Sequence, residues 1–550
     1  MSDSAISDPL QQSHEDAIRL LIDGDTPWDR RLIQASRWLN PILVKETRQA
    51  LKSKQFSWTF MLLIIFTIAW TLIAVISSIP NVYYDSDGSS FLLGYVVILM
   101  LPSLLVIPQV AFRSMSSELE DGTFETLSLS MLSPKQVVYG KLSVAALQLT
   151  VYLSILAPCI ALTYLLQGVT LESIAALLLV NGAVSMFLCS ISILMASIGR
   201  SRTLQIKFSV FLVLLQLFAI VCMFPFIWTC LSFQGLDEPG WTAVAVFCLF
   251  LGGYAWIALR CAWSSIDMPS ANRSTPVRVA VFVVGMAIVI VGVFLVLTKN
   301  LDQTLFNDSI LIVATLSWIH WGITGGMMMG ESGIVTYRAR RTLPDSYFGR
   351  LFLTWFNPGA GPAYLLVILS FFGPWLGIFL LTSSWNGIFP MISVNLSFQT
   401  KTWFYISALG SYLALYLGLV RLMLLAFFRK TRASRILLAF ASMLVMLTLG
   451  ILVSLMGSLI ASNFREMVYD WYCFINPMWT LSELGANMSS EAFFAWVALL
   501  TSAGLVLLIN ALLTSRDTMI SRVETPPRVL AEQPRKESSE SEQVDPWKES

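Results

Sequence analysis

The sequence predicts an all-α polytopic membrane protein of about twelve transmembrane helices, and three observations predict it. Of 550 residues, 56% are hydrophobic and 13% charged, against about 25% charged in an ordinary globular domain; the mean hydropathy is +0.71. Uncharged apolar runs long enough to cross a bilayer recur along the chain. Lys and Arg then sort to one side of those runs. A core this apolar leaves too little polar surface to cover it in water, which excludes a soluble enzyme, a disordered chain and a nucleic-acid binder. The runs are apolar all round, which excludes a strand-built barrel with its period of two.

In chain order the spans are 57–79, 91–111, 142–166, 173–198, 208–231, 240–259, 279–298, 309–330, 362–382, 403–427, 436–460 and 493–514. With the N-terminus in the cytoplasm, 32 of the 35 Lys and Arg fall inside, and the outer loops hold only Lys299, Lys401 and Arg465. Both termini are therefore expected to be cytoplasmic, in a cell (inner) membrane. Trp58, Trp228, Trp241, Trp263, Trp385, Trp403, Trp471 and Trp479 sit at span ends, where indole favours the headgroup level. No secretory signal is expected, because the first apolar run is already a full span. The seven Cys show neither a disulfide framework nor metal spacing.

Residues 1–37 read as a loosely structured cytoplasmic tail, and residues 515–550, rich in Pro, Glu, Ser and Lys, as a disordered one. Asn40-Pro41 suits a helix start. From Ile42 to Lys54 an amphipathic basic helix is expected on the inner leaflet. The longest outer loop, Ala461 to Ala492, is rich in aromatic residues and is expected to re-enter the interface partway, which backbone tolerates only against protein or a cavity.

The spans hold no Asp, Glu or Lys; apart from Tyr and Cys, their ionisable residues are His320 and Arg421. Ion-coupled transporters keep carboxylates at membrane depth, so this composition disfavours one. Arg421, about two turns from the inner end, is expected to snorkel to the interface. His320 lies near the midplane beside Trp318 and Trp321; it is either a hydrogen-bonded packing residue or an intramembrane polar site. Two His in the whole chain make a His-ligated metal site implausible. There is no H-E-x-x-H, no G-x-S-x-G and no G-x-x-x-x-G-K-[ST]. The chain is thus not expected to be an enzyme or to hold a cofactor, and energy for active work must come from a partner. Gly322, Gly326 and Gly330 form a smooth ridge for close helix packing, within the protein or at a dimer seam.

One inner loop, 113–141 (RSMSSELEDGTFETLSLSMLSPKQVVYGK), departs from the short basic connectors. Ser114 to Ser133 can form a helix along the inner face. Leu119, Phe124, Leu127 and Leu129 offer apolar contact, and Glu118, Glu120, Asp121 and Glu125 place acid where base is expected. Gly122 permits a bend, and Ser133-Pro134 is turn chemistry expected to end the helix. Such an element suits docking of a soluble partner.

This loop resembles the signature of permease subunits of ABC-2 type ATP-binding-cassette transporters. The matching residues are Glu118, Gly122, Thr123, Glu125, Leu127, Leu129, Ser133, Pro134, Gly140 and Lys141, and the Asn40-Pro41 lead-in helix resembles the family's connecting helix. The likeness spans about residues 38–260, a six-helix unit. It implies that Glu118, Gly122, Thr123, Glu125, Pro134 and Lys141 contact a separate ATP-binding subunit, which would carry ATP and Mg and pass its closure to the membrane helices. Residues 261–514 form a second six-helix unit that matches less well. Its loop Glu331 to Arg350 is basic and lacks the Gly-Thr-acidic core, though Phe348-Gly349-Arg350-Leu351 echoes Tyr139-Gly140-Lys141-Leu142. Trp228-Thr229, Leu231-Ser232 and Gly235 are echoed by Trp479-Thr480, Leu481-Ser482 and Gly485, which suggests two diverged halves. Trp38 and Asn40-Pro41 recur in another register as Trp355 and Asn357-Pro358. The expected function is an exporter's permease subunit, partnered by the ATPase, membrane lipids and a second permease copy or homologue. The alternatives are a non-transporting scaffold of the same fold and an ion-coupled secondary transporter.

Overall fold

The computed structural model of the chain describes residues 41–79, 88–120, 133–232, 237–268, 271–298, 303–331, 346, 349, 354–384, 400–428, 435–462, 469–486 and 489–518. Every regular element among them is helical, and twelve helices are long and apolar enough to cross a membrane. The chain is a multi-pass membrane protein. Each expected span lies within one of these helices, to within one residue at an end. Several helices run well past their apolar stretch, because helical hydrogen bonding continues through charged turns that a hydropathy reading discards.

The chain divides into two compact units, Met1–Asp267 and Met268–Ser550. Unit 1 comprises α1 (Pro41–Leu51), α2 (Lys54–Ser78), α3 (Gly88–Met100), α4 (Ile107–Glu120), α5 (Pro134–Leu165), α6 (Leu171–Ile198), α7 (Arg202–Ser232) and α8 (Glu238–Ile266). The lead-in helix does not run to Lys54 as expected. It ends at Leu51, because the Ser53 hydroxyl accepts from Phe56 N–H and starts α2 as an N-cap. A second departure lies in loop 113–141. Ser114 to Glu120 are the last turns of α4, continuous with the second span, and not a separate surface helix. Ser133-Pro134 opens the next helix: Ser133 and Gln136 make a reciprocal capping box, with Pro134 at the first turn. Residues 121–132 lie outside the described residues.

Between α3 and α4 the second span winds through a π segment, Leu101–Val106. Pro102 and Pro108 each remove a backbone donor there, and the Ile107 N–H bonds Pro102 O. Neighbouring side chains fill the gaps. Ser185 Oγ donates to Ser103 O at 2.7 Å, and Ser103 Oγ to Asn181 Oδ1 at 3.2 Å. The buried core runs along α3, α5 and α6, through Phe91, Tyr95, Leu99, Tyr152, Leu177 and Leu188, while α2 and α7 expose Leu, Ile and Phe along most of their length, as lipid contact requires.

Unit 2 comprises α9 (Ser274–Thr298), α10 (Gln303–Met329), α11 (Ala360–Ser384), α12 (Thr400–Phe427), α13 (Arg435–Ala461), a short 3-10 turn Trp471–Ile475, α14 (Pro477–Ala486) and α15 (Ser490–Thr518). Its α12 is the most enclosed span, touching α10, α11, α13 and α15. Arg421, on α12, does not snorkel. It is buried, and its guanidinium donates to Asn510 O (3.0 Å), Asn510 Oδ1 (3.2 Å) and Thr514 Oγ1 (2.8 Å) on α15. A neighbouring helix that offers acceptors removes the reason to reach for water.

Candidate functional site

The predicted inner end of unit 1 holds a buried ionic joint. Lys141, on the first turns of α5, is almost fully enclosed. Its ammonium lies 2.6 Å from Glu46 Oε1 on α1 and 3.1 Å from Glu118 Oε2 on α4. It also donates to Ser114 Oγ at 2.7 Å, and Ser114 Oγ lies 3.1 Å from Glu46 Oε2. One cation with three donors thus ties three helices together. Two carboxylates face it, so the cluster is one negative charge in excess when both are ionised. A buried pair of this kind adds little net stability over an apolar substitute, but removing one partner strands the other charge. Its effect is therefore registry: α1 is held in one place against the ends of the second and third spans. Beside the joint a cavity of about 510 Å³ opens between α1, α4 and α5, lined in part by Lys45, Gln49, Arg113, Ser117 and Gln148.

Of the six residues expected to meet an ATPase, the structure brings Glu118 and Lys141 together at this joint. Pro134 stands two helical turns N-terminal to Lys141 on α5. Gly122, Thr123 and Glu125 lie outside the described residues. Sequence reasoning missed Glu46. The available signal was one acidic residue set among Lys45, Arg48, Lys52 and Lys54 on a basic helix.

Unit 2 carries a different clasp at the start of α9. Arg278 is buried and ion-paired with Glu331, just past α10. The same guanidinium donates to the carbonyls of Trp355 (2.8 Å), Asn357 and Gly359 (2.9 Å), in the turn that leads into α11. Gly359 has φ +128°, a conformation that favours glycine. This places Asn357-Pro358 before the third span of its unit, whereas Pro41 starts the helix before the first span. The two Asn-Pro pairs are not in corresponding places. The Trp-Thr echoes also differ in setting: Trp228 and Thr229 end the spanning helix α7, and Trp479 and Thr480 lie in the short α14.

His320 is buried on α10, with Nε2 3.1 Å from Val281 O on α9 and its ring edge-on to Trp321. Gly326 and Gly330 face α13, and Gly322 lies between α12 and α13. A Cβ at Gly330 would stand 2.5 Å from Ile436 N, at Gly326 3.2 Å from Met443 Sδ, and at Gly322 no closer than 3.8 Å to Leu413. The ridge tightens toward Gly330 and is occupied by a helix of the same chain.

The segment 469–486 re-enters unit 2 toward the middle of α12. Its irregular carbonyls are satisfied by side-chain hydroxyls. Tyr412 donates to Phe474 O and Tyr416 to Ile475 O, both at 2.6 Å, and Thr480 donates to Cys473 O at 3.1 Å. Asn476 Nδ2 donates to Ser454 Oγ at 2.9 Å. This is how non-helical backbone survives at depth. Burial pushes the Tyr469 hydroxyl up to about 12 and raises the Cys473 thiol, so both stay neutral at physiological pH. All seven Cys are free thiols, and among the described residues no three His, Cys, Asp or Glu side chains gather to hold a metal ion.

No family model, curated protein or solved structure matches the chain. Its functional reading rests on its own residues and geometry.

Proposed function

We propose that the chain is the transmembrane permease subunit of an ABC-2 type transporter, working as an exporter. A separate ATP-binding subunit, holding ATP and Mg, docks on the cytoplasmic loops and drives it. The two six-span units are then diverged halves, both termini are cytoplasmic, and the membrane is the cell's inner membrane. The observation that carries the reading is the joint at Lys141. It unites the lead-in helix with both ends of the loop whose residues resemble the family signature. A partner pressing on 121–132 moves α4 and α5 together, and α1 with them. Free energy enters through the partner's different affinity for two arrangements of these helices.

The test is affinity purification of the full chain in mild detergent from its native cell, followed by identification of what co-purifies. A stoichiometric Walker-motif ATPase, lost on Glu118→Lys or Gly122→Leu while membrane insertion persists, is the expected result. A chain that purifies without an ATPase, or mutants that keep it, would overturn the docking reading and leave a scaffold of the same fold. For orientation, a cysteine placed at Ser201 should be labelled only from the cytoplasmic side, and one at Ser86 only from outside.

A further inference from the structure

We propose that the cavity between α1, α4 and α5 is a binding site for an anionic phospholipid, taking its phosphate headgroup and the first methylenes of one acyl chain. The lining has two characters. At the mouth stand Lys45 and Arg113, both exposed, and neither is ion-paired among the described residues. The back wall is hydrocarbon: Ile107, Ala111, Val144 and Ala145 are buried, and Val110 is half-buried. The lining carries three cations, Lys45, Arg113 and Lys141, against two carboxylates, Glu46 and Glu118. Both carboxylates are turned onto the Lys141 ammonium, which leaves the mouth positive.

The position decides between ligands. The cavity is bounded by the ends of two membrane-spanning helices and by a short amphipathic helix that carries Lys45 and Arg48. It therefore lies at the headgroup level of one leaflet, where basic pockets between spans attract anionic lipid heads. A water-soluble phosphate compound makes no use of the apolar back wall, and a zwitterionic lipid makes little use of two free cations. A volume of about 510 Å³ is in the range that holds a small ligand. The assignment is independent of which protein docks on the neighbouring loop, and it gives the lead-in helix a lipid to sit on beside its ionic joint.

The experiment uses the purified full chain in detergent with a phosphatidylglycerol analogue carrying a photoactivatable diazirine early in one acyl chain. After irradiation the labelled peptides are mapped by mass spectrometry. Label on residues 107–111 and 144–145 should exceed that from the phosphatidylcholine analogue by about thirty-fold, the scale of two cations at a membrane surface. Lys45→Glu with Arg113→Glu should abolish the preference, and the gentler Lys45→Gln with Arg113→Gln should reduce it. Both residues are exposed, so both double variants should elute from gel filtration as the wild type does. Equal labelling by the two lipids, or an unchanged preference in the charge-reversed variant, overturns the proposal. Loss of label on adding excess inorganic phosphate overturns it too, and points to a water-soluble phosphate ligand.

Discussion

Each unit ties a cation to the end of its helix bundle, and the two do it with different chemistry. In unit 1, Lys141 bonds mostly to side chains carried on two other helices, Glu46 on α1 and Ser114 and Glu118 on α4. In unit 2, Arg278 spends its guanidinium on Glu331 and on three backbone carbonyls of the turn at 355–359. An ammonium is a compact charge on a flexible stem, and a guanidinium is a rigid fork. The first clasp joins three separate helices through their side chains, with two carboxylates on one cation. The second sets the shape of a turn and cannot let go without undoing it. The contrast is between a clasp that sets the register of three helices in unit 1 and one that sets the shape of a turn in unit 2.

The largest expected effect is at Lys141. Replacing it with Met strands the buried Glu46 and the half-buried Glu118 and should cost about 3–5 kcal/mol, read as a fall in the thermal unfolding temperature in detergent and as protease release of α1. Glu118→Gln should cost less, about 1–2 kcal/mol, because Glu46 keeps the shorter contact. Equal losses for the two would mean that the joint is not centred on Lys141. Arg278→Lys comes next, at about 2–3 kcal/mol, since one ammonium cannot reproduce the fork; a neutral outcome in the same unfolding assay would remove the contrast between the clasps.

Smaller effects sharpen the picture of unit 2. Gly330→Ala forces α10 off α13 and should cost about 1–3 kcal/mol, whereas Gly322→Ala, with ordinary contact distances, should stay within about 0.5 kcal/mol. Comparable losses at both would show that the ridge does not tighten toward Gly330. Tyr416→Phe leaves Ile475 O without its donor and should cost about 1 kcal/mol. Its signature is local: Cys473, now buried, should react faster with a maleimide. Unchanged labelling would mean that the re-entrant segment does not depend on that hydroxyl.

Twelve spans were legible because each is a long uncharged run, and lipid leaves a helix no other way to satisfy its backbone. Helix limits were not legible at Ser114–Glu120 or Pro134–Lys141, where the same helices continue through charge. The ionic joint was half legible. Glu118 and Lys141 belong to one loop motif, but Glu46 lies 95 residues before Lys141, and only its oddity on a basic helix marked it. Arg421 was misjudged because its acceptors lie on another span; Asn510 and Thr514, four residues apart on one face of a largely apolar helix, were the available sign. The irregular, aromatic character of the segment around Trp471 was legible, and the tyrosines of α12 that hold it, four residues apart, were not.

The measurement that tests the central claim most directly pairs the two clasps against the proposed ATPase. The chain and its co-purifying partner are reconstituted in lipid, and ATP hydrolysis is compared for wild type, Lys141→Met and Arg278→Lys, each confirmed to be inserted and to bind the partner. The account predicts that Lys141→Met uncouples hydrolysis from the membrane subunit, so that its rate falls to that of the partner alone, while Arg278→Lys keeps the wild-type rate. Wild-type hydrolysis in Lys141→Met would contradict it.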